Sequence, residues 1–249
     1  MSQFLNRSVL ITGGSGGLGQ QLALDFAREG AKITVNYSSS AAAAERIVAQ
    51  IKETGGQAIA CRADISSPGD VNTMVETAVE NYGGVDILIN NAGLSIDVPF
   101  LELTENDWDR VIDVNLKGPF LVSQAVGQHM VAAGKGRIIN ISATTAIQPR
   151  IGNANYTAAK AGLNMLTQSM ALELGPDVTV NAVALGAVDC PLVRELFSSE
   201  QLDQFVDGLP LQRMTTYAET SAFVMMLASD TAAYVTGQAI PFDGGRVMR

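Results

Sequence analysis

The chain has 249 residues, of which 47% are hydrophobic and 16% charged, a composition typical of a globular protein with a large core. Its net charge of -9 and the absence of a Lys/Arg cluster argue against nucleic acid as a partner, because phosphate binding needs basic side chains. Two cysteines, Cys61 and Cys190, are too few for a disulfide framework and indicate a reduced, cytoplasmic protein.

The sequence also lacks the patterns of membrane segments and of metal sites. Its first twelve residues do not form a signal peptide, and no apolar run reaches the ~18 residues that span a membrane. The single histidine, His129, argues against a His-based metal site and against a Ser-His-Asp hydrolase, so we predict no metal. We expect His129 at the surface, late in a long helix.

Short apolar runs alternate with longer amphipathic segments along the chain. The short runs predict strands over residues 8–12, 32–37, 57–63, 85–90, 136–142, 178–184 and 238–242. The longer segments predict helices over residues 18–29, 41–54, 69–81, 105–132, 154–174 and 218–228. This alternation predicts one α/β domain over residues 1–249, a doubly wound parallel sheet with helices on both faces. A long connection at 185–217 follows the carboxyl end of a strand, where we expect a substrate lid.

The first strand runs into the glycine-rich segment ITGGSGGLGQ, which precedes the first helix. Glycines let the backbone approach a ligand closely, and the helix N-terminus offers free N–H groups to an anion. Because the segment follows a strand and opens a helix, it predicts the pyrophosphate site of a dinucleotide cofactor. No G-K-S/T sequence is present, which argues against a nucleoside triphosphatase.

The end of the second strand should distinguish the two nicotinamide cofactors. An acidic residue there is typical of NAD sites, whereas this chain has Tyr37 followed by Ser38, Ser39 and Ser40. No carboxylate repels a 2′-phosphate at this place, so NADP(H) is favoured. No Arg or Lys follows the strand or stands in the glycine turn either, which leaves NAD(H) open.

Tyr156 and Lys160 lie four residues apart in an Ala-rich helical segment, so their side chains should share one face. The pair is either ordinary helix surface or an acid–base pair. In the second case the ammonium would stabilise the phenolate and lower the pKa of the tyrosine from its usual value near 10.

Four motifs follow one another along the chain: T-G-x-x-x-G-x-G at 12–19, N-N-A-G at 90–93, Asn115 within VNLKG, and Y-x-x-x-K at 156–160. With these motifs the whole chain resembles the short-chain dehydrogenase/reductase family, and most closely its 3-oxoacyl-carrier-protein reductase-like branch. The resemblance implies a seven-stranded parallel Rossmann sheet and an oxidoreductase that interconverts a carbonyl and a secondary alcohol with NAD(P)(H). It also implies a homotetramer, with a hetero-oligomer left open.

The resemblance further implies roles for individual residues. Tyr156 would be the acid/base, assisted by Lys160 and Asn115, and Asn115 would hold a water that links Lys160 to solvent. The alternative for Asn115 is a bridge across a helix kink. The residues that would contact the cofactor are Gly13, Ser15, Gly16, Gly17, Leu18, Gly19, Tyr37, Ser38, Asp64, Ile65, Asn91, Ala92, Gly93, Tyr156, Lys160, Gly186 and Val188.

The chain departs from the family pattern near the substrate carbonyl. Family members place a carbonyl-binding serine thirteen residues before the tyrosine, and that position is Ala143 here. Ser142 should face away from the cleft, because neighbours on a strand point to opposite faces. We therefore rank Thr145 first as the replacement, then Thr144 and Ser142. Cys190 stands at the position where family members commonly have a threonine that binds the carboxamide of the nicotinamide.

These departures leave two hypotheses open. One is an active oxidoreductase with an unusual carbonyl-binding group, which the retained Tyr156, Lys160 and Asn115 favour. The other is a weakly active or inactive accessory subunit of a hetero-oligomeric dehydrogenase, because position 143 lacks the serine.

The substrate is only broadly indicated, as a small molecule or an acyl thioester such as a 3-oxoacyl group. Asn153 is expected to border the pocket. Three arginines would permit an anionic or carrier-linked substrate: Arg150, Arg194 and Arg213. Apolar lid residues suit either an acyl body or subunit contact, and they are Leu192, Val193, Leu196, Phe197 and Phe205.

Overall fold

A computed structural model describes residues 2–196 and 198–248 of the chain and contains a seven-stranded parallel sheet. The strands are β1 (Ser8–Ile11), β2 (Lys32–Tyr37), β3 (Gln57–Arg62), β4 (Ile87–Asn90), β5 (Gly136–Ala143), β6 (Val178–Leu185) and β7 (Ala239–Phe242). Their order across the sheet is β3-β2-β1-β4-β5-β6-β7. The order reverses between β1 and β4, and such a reversal creates a crevice at the carboxyl ends of the strands.

Helices form in the predicted segments, and they are α1 (Gly17–Arg28), α2 (Ala41–Glu53), α3 (Pro68–Tyr82), α4 (Glu105–Ile112), α5 (Gly118–Ala132), α6 (Ala154–Leu174) and α9 (Tyr217–Ala228). Two separate apolar clusters show that helices cover both faces of the sheet. On β1, Val9 and Ile11 belong to one cluster, whereas Leu10 belongs to the other. The first cluster contains Leu22 of α1, and the second contains Met74 of α3. The predicted doubly wound Rossmann fold is confirmed.

The predicted continuous helix over 105–132 is wrong in its middle. A π-helical segment, Asp113–Lys117, separates α4 from α5. The N–H of Gly118 donates to the carbonyl of Asp113, five residues earlier, and the next residue, Pro119, has no N–H to donate. The widened turn carries Asn115, which is fully buried.

The connection after β6 contains two short helices that the sequence pattern did not predict: α7 (Pro191–Leu196) and α8 (Ser199–Asp207). Ser198 and Gln201 form a capping box at the start of α8. The predicted lid residue Phe197 lies outside the described residues. His129 is exposed in the last turn of α5, as predicted. Within the described ranges, no helix has both the length and the apolar character needed to cross a bilayer.

Candidate active site

The glycine-rich turn links β1 to α1 at the carboxyl edge of the sheet. Gly13 has a φ of +61° and Gly17 a φ of +53°, left-handed values that favour glycine. A Cβ on Gly19 would collide with the carbonyl oxygen of Gly13 and lie 2.7 Å from Nδ2 of Asn91. Gly16 faces open space and, as the N-cap of α1, supplies no side-chain acceptor to the first-turn N–H groups. This arrangement fits a diphosphate, which needs close backbone approach and N–H donors.

Two buried polar side chains hold the turn in place. Oγ1 of Thr12 accepts hydrogen bonds from the N–H groups of Asn91 at 3.0 Å and Ala92 at 3.1 Å, after β4. Oδ1 of Asn36 accepts from the N–H of Gly13 at 3.1 Å, and its Nδ2 donates to the carbonyl of Ala63 at 3.1 Å. Sequence reasoning did not single out Asn36, although a polar residue in the apolar run of β2 was a visible signal.

The other residues predicted to contact the cofactor at the glycine turn differ in how much of each residue is accessible to a ligand. Ser15 is half-buried on the turn. The Leu18 side chain is buried in the first apolar cluster, so only its backbone can face a ligand. Ala92 lies directly beneath Gly13, where an added Cβ would be 2.9 Å from Cα of Ala92.

The predicted adenosine-binding residues lie in the neighbouring loops after β2 and β3. The exposed Ser38 follows the half-buried Tyr37, whose side chain packs against the first apolar cluster. Oδ1 of Asp64 accepts from the Ser66 hydroxyl at 2.7 Å and its N–H at 2.9 Å, and both bonds lower the pKa of the carboxyl group. The Ile65 side chain is buried in the second cluster, so only its backbone faces the crevice.

Lys160 and Asn115 converge beside Gly93, and Tyr156 lies next to Lys160. Tyr156 and Lys160 share one face of α6, with Nζ of Lys160 5.4 Å from the centroid of the tyrosine ring. Lys160 is 3% exposed, and its Nζ donates to the carbonyl of Ile141 at 2.8 Å. A Cβ on Gly93 would lie 3.1 Å from Oδ1 of Asn115 and 3.9 Å from Nζ of Lys160.

Asn115 joins the interrupted helix to the loop after β4. Its Nδ2 donates to the carbonyls of Leu94 at 2.7 Å and Val111 at 2.9 Å, and its Oδ1 accepts from the N–H of Leu94 at 3.3 Å. These bonds fit the alternative role of Asn115, a bridge across the helix kink. The water link to Lys160 stays a prediction.

Burial controls the ionisation of the pair. It raises the pKa of Tyr156 to about 12, while Arg150 acts to lower that pKa and Asp97 to raise it. Burial also lowers the pKa of Lys160 to about 8. Lys160 does not lower this pKa in the structure, because desolvation dominates and its ammonium donates to the carbonyl of Ile141, so the stabilisation of the phenolate by Lys160 stays a prediction. At neutral pH the tyrosine holds its proton and the lysine is a cation.

The hydroxyls near the missing serine have different surroundings. Ala143 is the last residue of β5, and the Ser142 hydroxyl donates to the carbonyl of Lys160 at 3.4 Å, so it faces α6. Oγ1 of Thr144 reaches the carbonyl of Leu185 at 3.5 Å. Oγ1 of Thr145 is buried and has no hydrogen-bond partner within the described ranges. Thr145 is therefore the hydroxyl among these that has an unused donor.

Asn153 holds the segment after β4 against the start of α6. It is fully buried, and its Nδ2 donates to Oδ1 of Asp97 at 2.7 Å and to the Ser95 hydroxyl at 3.2 Å. Asp97 also forms an ion pair with Arg150 at 2.6 Å. Oδ1 of Asn153 is buried without a partner among the residues described.

The segment after β6 reaches back to the glycine turn. Gly186 must be small, since a Cβ there would lie 2.8 Å from Cα of Asp243. Val188 forms a bridge with Thr215. Cys190 is buried and lies near Tyr217, whose hydroxyl lies 3.1 Å from a Cβ placed on Gly17. Sequence reasoning did not identify Tyr217.

The arginines considered for substrate binding all have carboxylate partners of the same chain. Besides the pair of Arg150, Arg194 pairs with Asp189 at 2.6 Å and Arg213 with Glu219 at 2.6 Å. Of the predicted lid residues, Phe205 lies under the guanidinium of Arg246, with 4.5 Å between the ring centroid and Cζ. No group of three or more potential metal ligands occurs in the part of the chain that the structure describes.

Known proteins are similar to this chain in sequence and in structure. A family model described as short chain dehydrogenase matches residues 7–201. A 3-oxoacyl-[acyl-carrier-protein] reductase of Synechocystis sp. is 40% identical over 250 residues, covering 100% of both chains. The 3-oxoacyl-[acyl-carrier-protein] reductase FabG of Staphylococcus epidermidis is 39% identical over 245 residues, 98% of this chain and 100% of the relative. A solved double mutant of a Serratia marcescens short-chain dehydrogenase/reductase has a TM-score of 0.92 at 35% identity, covering 98% of this chain and 99% of the other.

Proposed function

Since the chain belongs to the short-chain dehydrogenase/reductase family and is an NAD(P)-dependent oxidoreductase, we propose that it reduces a 3-oxoacyl thioester to the secondary alcohol, with NADP(H) favoured over NAD(H). The observation that carries the proposal is the pairing of the half-buried Tyr156 with the buried Lys160, whose Nζ lies near Gly93. The substrate class is supported by full-length relatives named as 3-oxoacyl reductases.

In this reaction the bound cofactor supplies a hydride to the carbonyl carbon. The N–H groups of the glycine turn that do not already donate to Asn36 would hold its diphosphate. Tyr156 donates its phenolic proton to the carbonyl oxygen, which becomes the hydroxyl of the product. A phenol with a pKa of about 12 stays protonated at neutral pH, and the developing alkoxide is the stronger base, so this transfer is favourable. The Lys160 ammonium then stabilises the phenolate.

Thr145 takes the role of the absent serine in this proposal. Its unpaired hydroxyl lies in the turn 144–146, which packs against α6, the helix that carries Tyr156. A hydroxyl that donates to the developing oxyanion lowers the barrier. Asn153, with its unpaired Oδ1, would border the acyl group.

The alternative is an accessory subunit of weak or no activity. Ala143, which carries no hydroxyl, is the observation that favours it. This alternative leaves the buried acid–base pair without a role, so we rank it second.

Cofactor titration followed by single turnover tests the proposal. The purified chain is titrated separately with NADPH and NADH by fluorescence, then mixed as the NADPH complex with acetoacetyl-CoA. Binding followed by oxidation of NADPH supports the reductase. Binding without turnover across 3-oxoacyl thioesters of several chain lengths would favour the accessory subunit. A chain that binds neither cofactor would contradict both the diphosphate site and the reductase.

The proposed assembly is a homotetramer in the cytoplasm. Apolar side chains on α5 and α6 support self-association, because Phe120, Met165 and Leu172 are 41%, 60% and 85% exposed. Light scattering at micromolar concentration should give a mass four times that of the chain. A monomer under those conditions would refute the assembly.

A further inference from the structure

We propose that Arg62, at the end of β3, binds the 2′-phosphate of NADP(H) together with the serines that follow β2, and thereby sets the cofactor preference. The inference rests on the proposed use of a nicotinamide cofactor, and it deepens that proposal by naming the positive charge that the sequence around β2 lacks. Arg62 lies 25 residues after Tyr37, so the spacing along the chain gave no sign of it.

The sheet register brings this arginine to the end of β2. Tyr37 of β2 pairs with Arg62 of β3, and each is the last residue of its strand. Nε of Arg62 donates to the carbonyl of Ser38 at 3.3 Å. The guanidinium therefore lies against the three-serine segment where the ribose 2′-substituent is expected.

The charge of Arg62 is not neutralised by a neighbour. Arg150, Arg194 and Arg213 each form an ion pair with a carboxylate at 2.6 Å. Arg62 has no carboxylate partner among residues 2–196 and 198–248, and the hydrogen bond to Ser38 uses only Nε. Its two terminal nitrogens are free to donate to a phosphate, which the planar fork of a guanidinium matches well.

The serines add further donors at the same place. Ser38, Ser39 and Ser40 are exposed. Ser40 is the N-cap of α2, yet its side chain makes no capping bond. Its hydroxyl is therefore free to donate to a bound dianion, although the N–H groups of Ala41 and Ala43 already donate to the carbonyls of Ser39 and Ser40.

The nearest acidic side chain along β3 does not occupy this position. Asp64, two residues after Arg62, accepts hydrogen bonds from Ser66 in its own loop. The backbone N–H of Asp64 donates to Asp70 at the start of α3, which also holds this loop in place. The guanidinium of Arg62 is thus the charged group that lies next to Ser38, and it would attract a 2′-phosphate there.

The test compares the dissociation constants of NADPH and NADH for the wild-type chain, Arg62→Gln and Arg62→Lys, by fluorescence at fixed ionic strength. Removing a charge-assisted contact should raise the Kd of NADPH for Arg62→Gln by about tenfold to a hundredfold. The Kd of NADH should change less than about twofold, because NADH lacks the 2′-phosphate. The Kd of NADPH for Arg62→Lys should fall between those of the wild-type chain and Arg62→Gln, since an ammonium keeps the charge but loses the planar fork of the guanidinium. The three chains should show the same order of Kd values for 2′,5′-ADP, which carries the 2′-phosphate, when each is compared with its Kd for 5′-AMP.

Lys52→Gln is the matched control. It removes one positive charge from the last turn of α2, about 18 Å along the helix from Ser40. We expect it to leave the Kd of NADPH within about twofold of the wild-type value, because exposed charges more than a Debye length away are screened.

The possible failures are distinguishable. If Arg62→Gln weakens both cofactors equally, or weakens neither, the assignment of Arg62 is overturned while the proposed reductase stands. If Lys52→Gln weakens NADPH as much as Arg62→Gln does, a general charge effect replaces the specific contact and the assignment also falls. If the wild-type chain binds neither cofactor, the proposed function itself fails and takes this inference with it.

Discussion

Replacing Thr145 by valine should separate stability from turnover. Valine keeps the shape of threonine and exchanges the hydroxyl for a methyl group. Oγ1 of Thr145 is buried and makes no hydrogen bond to the described residues. A buried polar group without a partner costs about 1–3 kcal/mol of folding free energy. The free energy of unfolding of Thr145→Val should therefore stay level or rise by about 1 kcal/mol, as measured by urea denaturation without cofactor.

The same substitution should slow the reaction. If the hydroxyl donates to the carbonyl oxygen, its loss costs about 3 kcal/mol of transition-state stabilisation, on the order of a hundredfold in rate. Single-turnover reduction of acetoacetyl-CoA measures this rate directly. The Kd of NADPH should not change, because the hydroxyl is assigned to the substrate.

Thr144→Val is the matched control for this prediction. Its Oγ1 already has the carbonyl of Leu185 as a partner at 3.5 Å, so its loss should lower stability slightly and leave turnover nearly unchanged. Normal turnover by Thr145→Val would refute the assignment. A loss of stability above about 1 kcal/mol in that variant would show that the hydroxyl has a structural partner, such as a buried water.

Three further substitutions test the rest of the site. Tyr156→Phe should abolish turnover and leave the Kd of the cofactor nearly unchanged, since only the phenolic hydroxyl that donates the proton is lost; near-normal turnover would disprove its role. Ala143→Ser should preserve or raise the single-turnover rate, and a collapse would mean that another group already fills the carbonyl site. Lys160→Met should change how stability depends on pH. Burial lowers the pKa of Lys160 to about 8 from 10.5, so between these values the unfolded chain binds more protons. Relative to Lys160→Met, the wild-type free energy of unfolding should rise from pH 8 to 10.5 by on the order of 3 kcal/mol in urea titrations; no difference in slope would contradict the burial argument.

Local sequence patterns were sufficient for most of the fold. Strands buried on both faces must be apolar almost throughout, and the helices between them must be amphipathic. The two kinds of element can therefore be told apart by the spacing of their apolar residues. The glycine turn was equally readable, because the left-handed φ of Gly13 and Gly17 is a requirement on single residues. The pairing of Tyr156 with Lys160 could also be predicted from local sequence, since the two residues lie one helical turn apart.

The interrupted helix and the ionisation of the pair were harder to predict. The pattern over 105–132 is periodic enough for one helix, and the widened turn is visible only in the backbone hydrogen bond from Gly118 to Asp113, five residues earlier. The pKa of Tyr156 depends on how much protein surrounds it, which spacing along the helix does not indicate.

The remaining features depend on contacts between residues distant in sequence. Asn36 links Gly13 to Ala63, and Tyr217 contacts both Cys190 and the glycine turn. The position of Arg62 beside Ser38 follows from the pairing of β2 with β3. The sequence alone determined which residues could bind a dinucleotide and move a proton, because those requirements are local. Only the tertiary structure decided which charges and hydroxyls lie together at the site, because strand register and burial are set by the packing of the whole sheet.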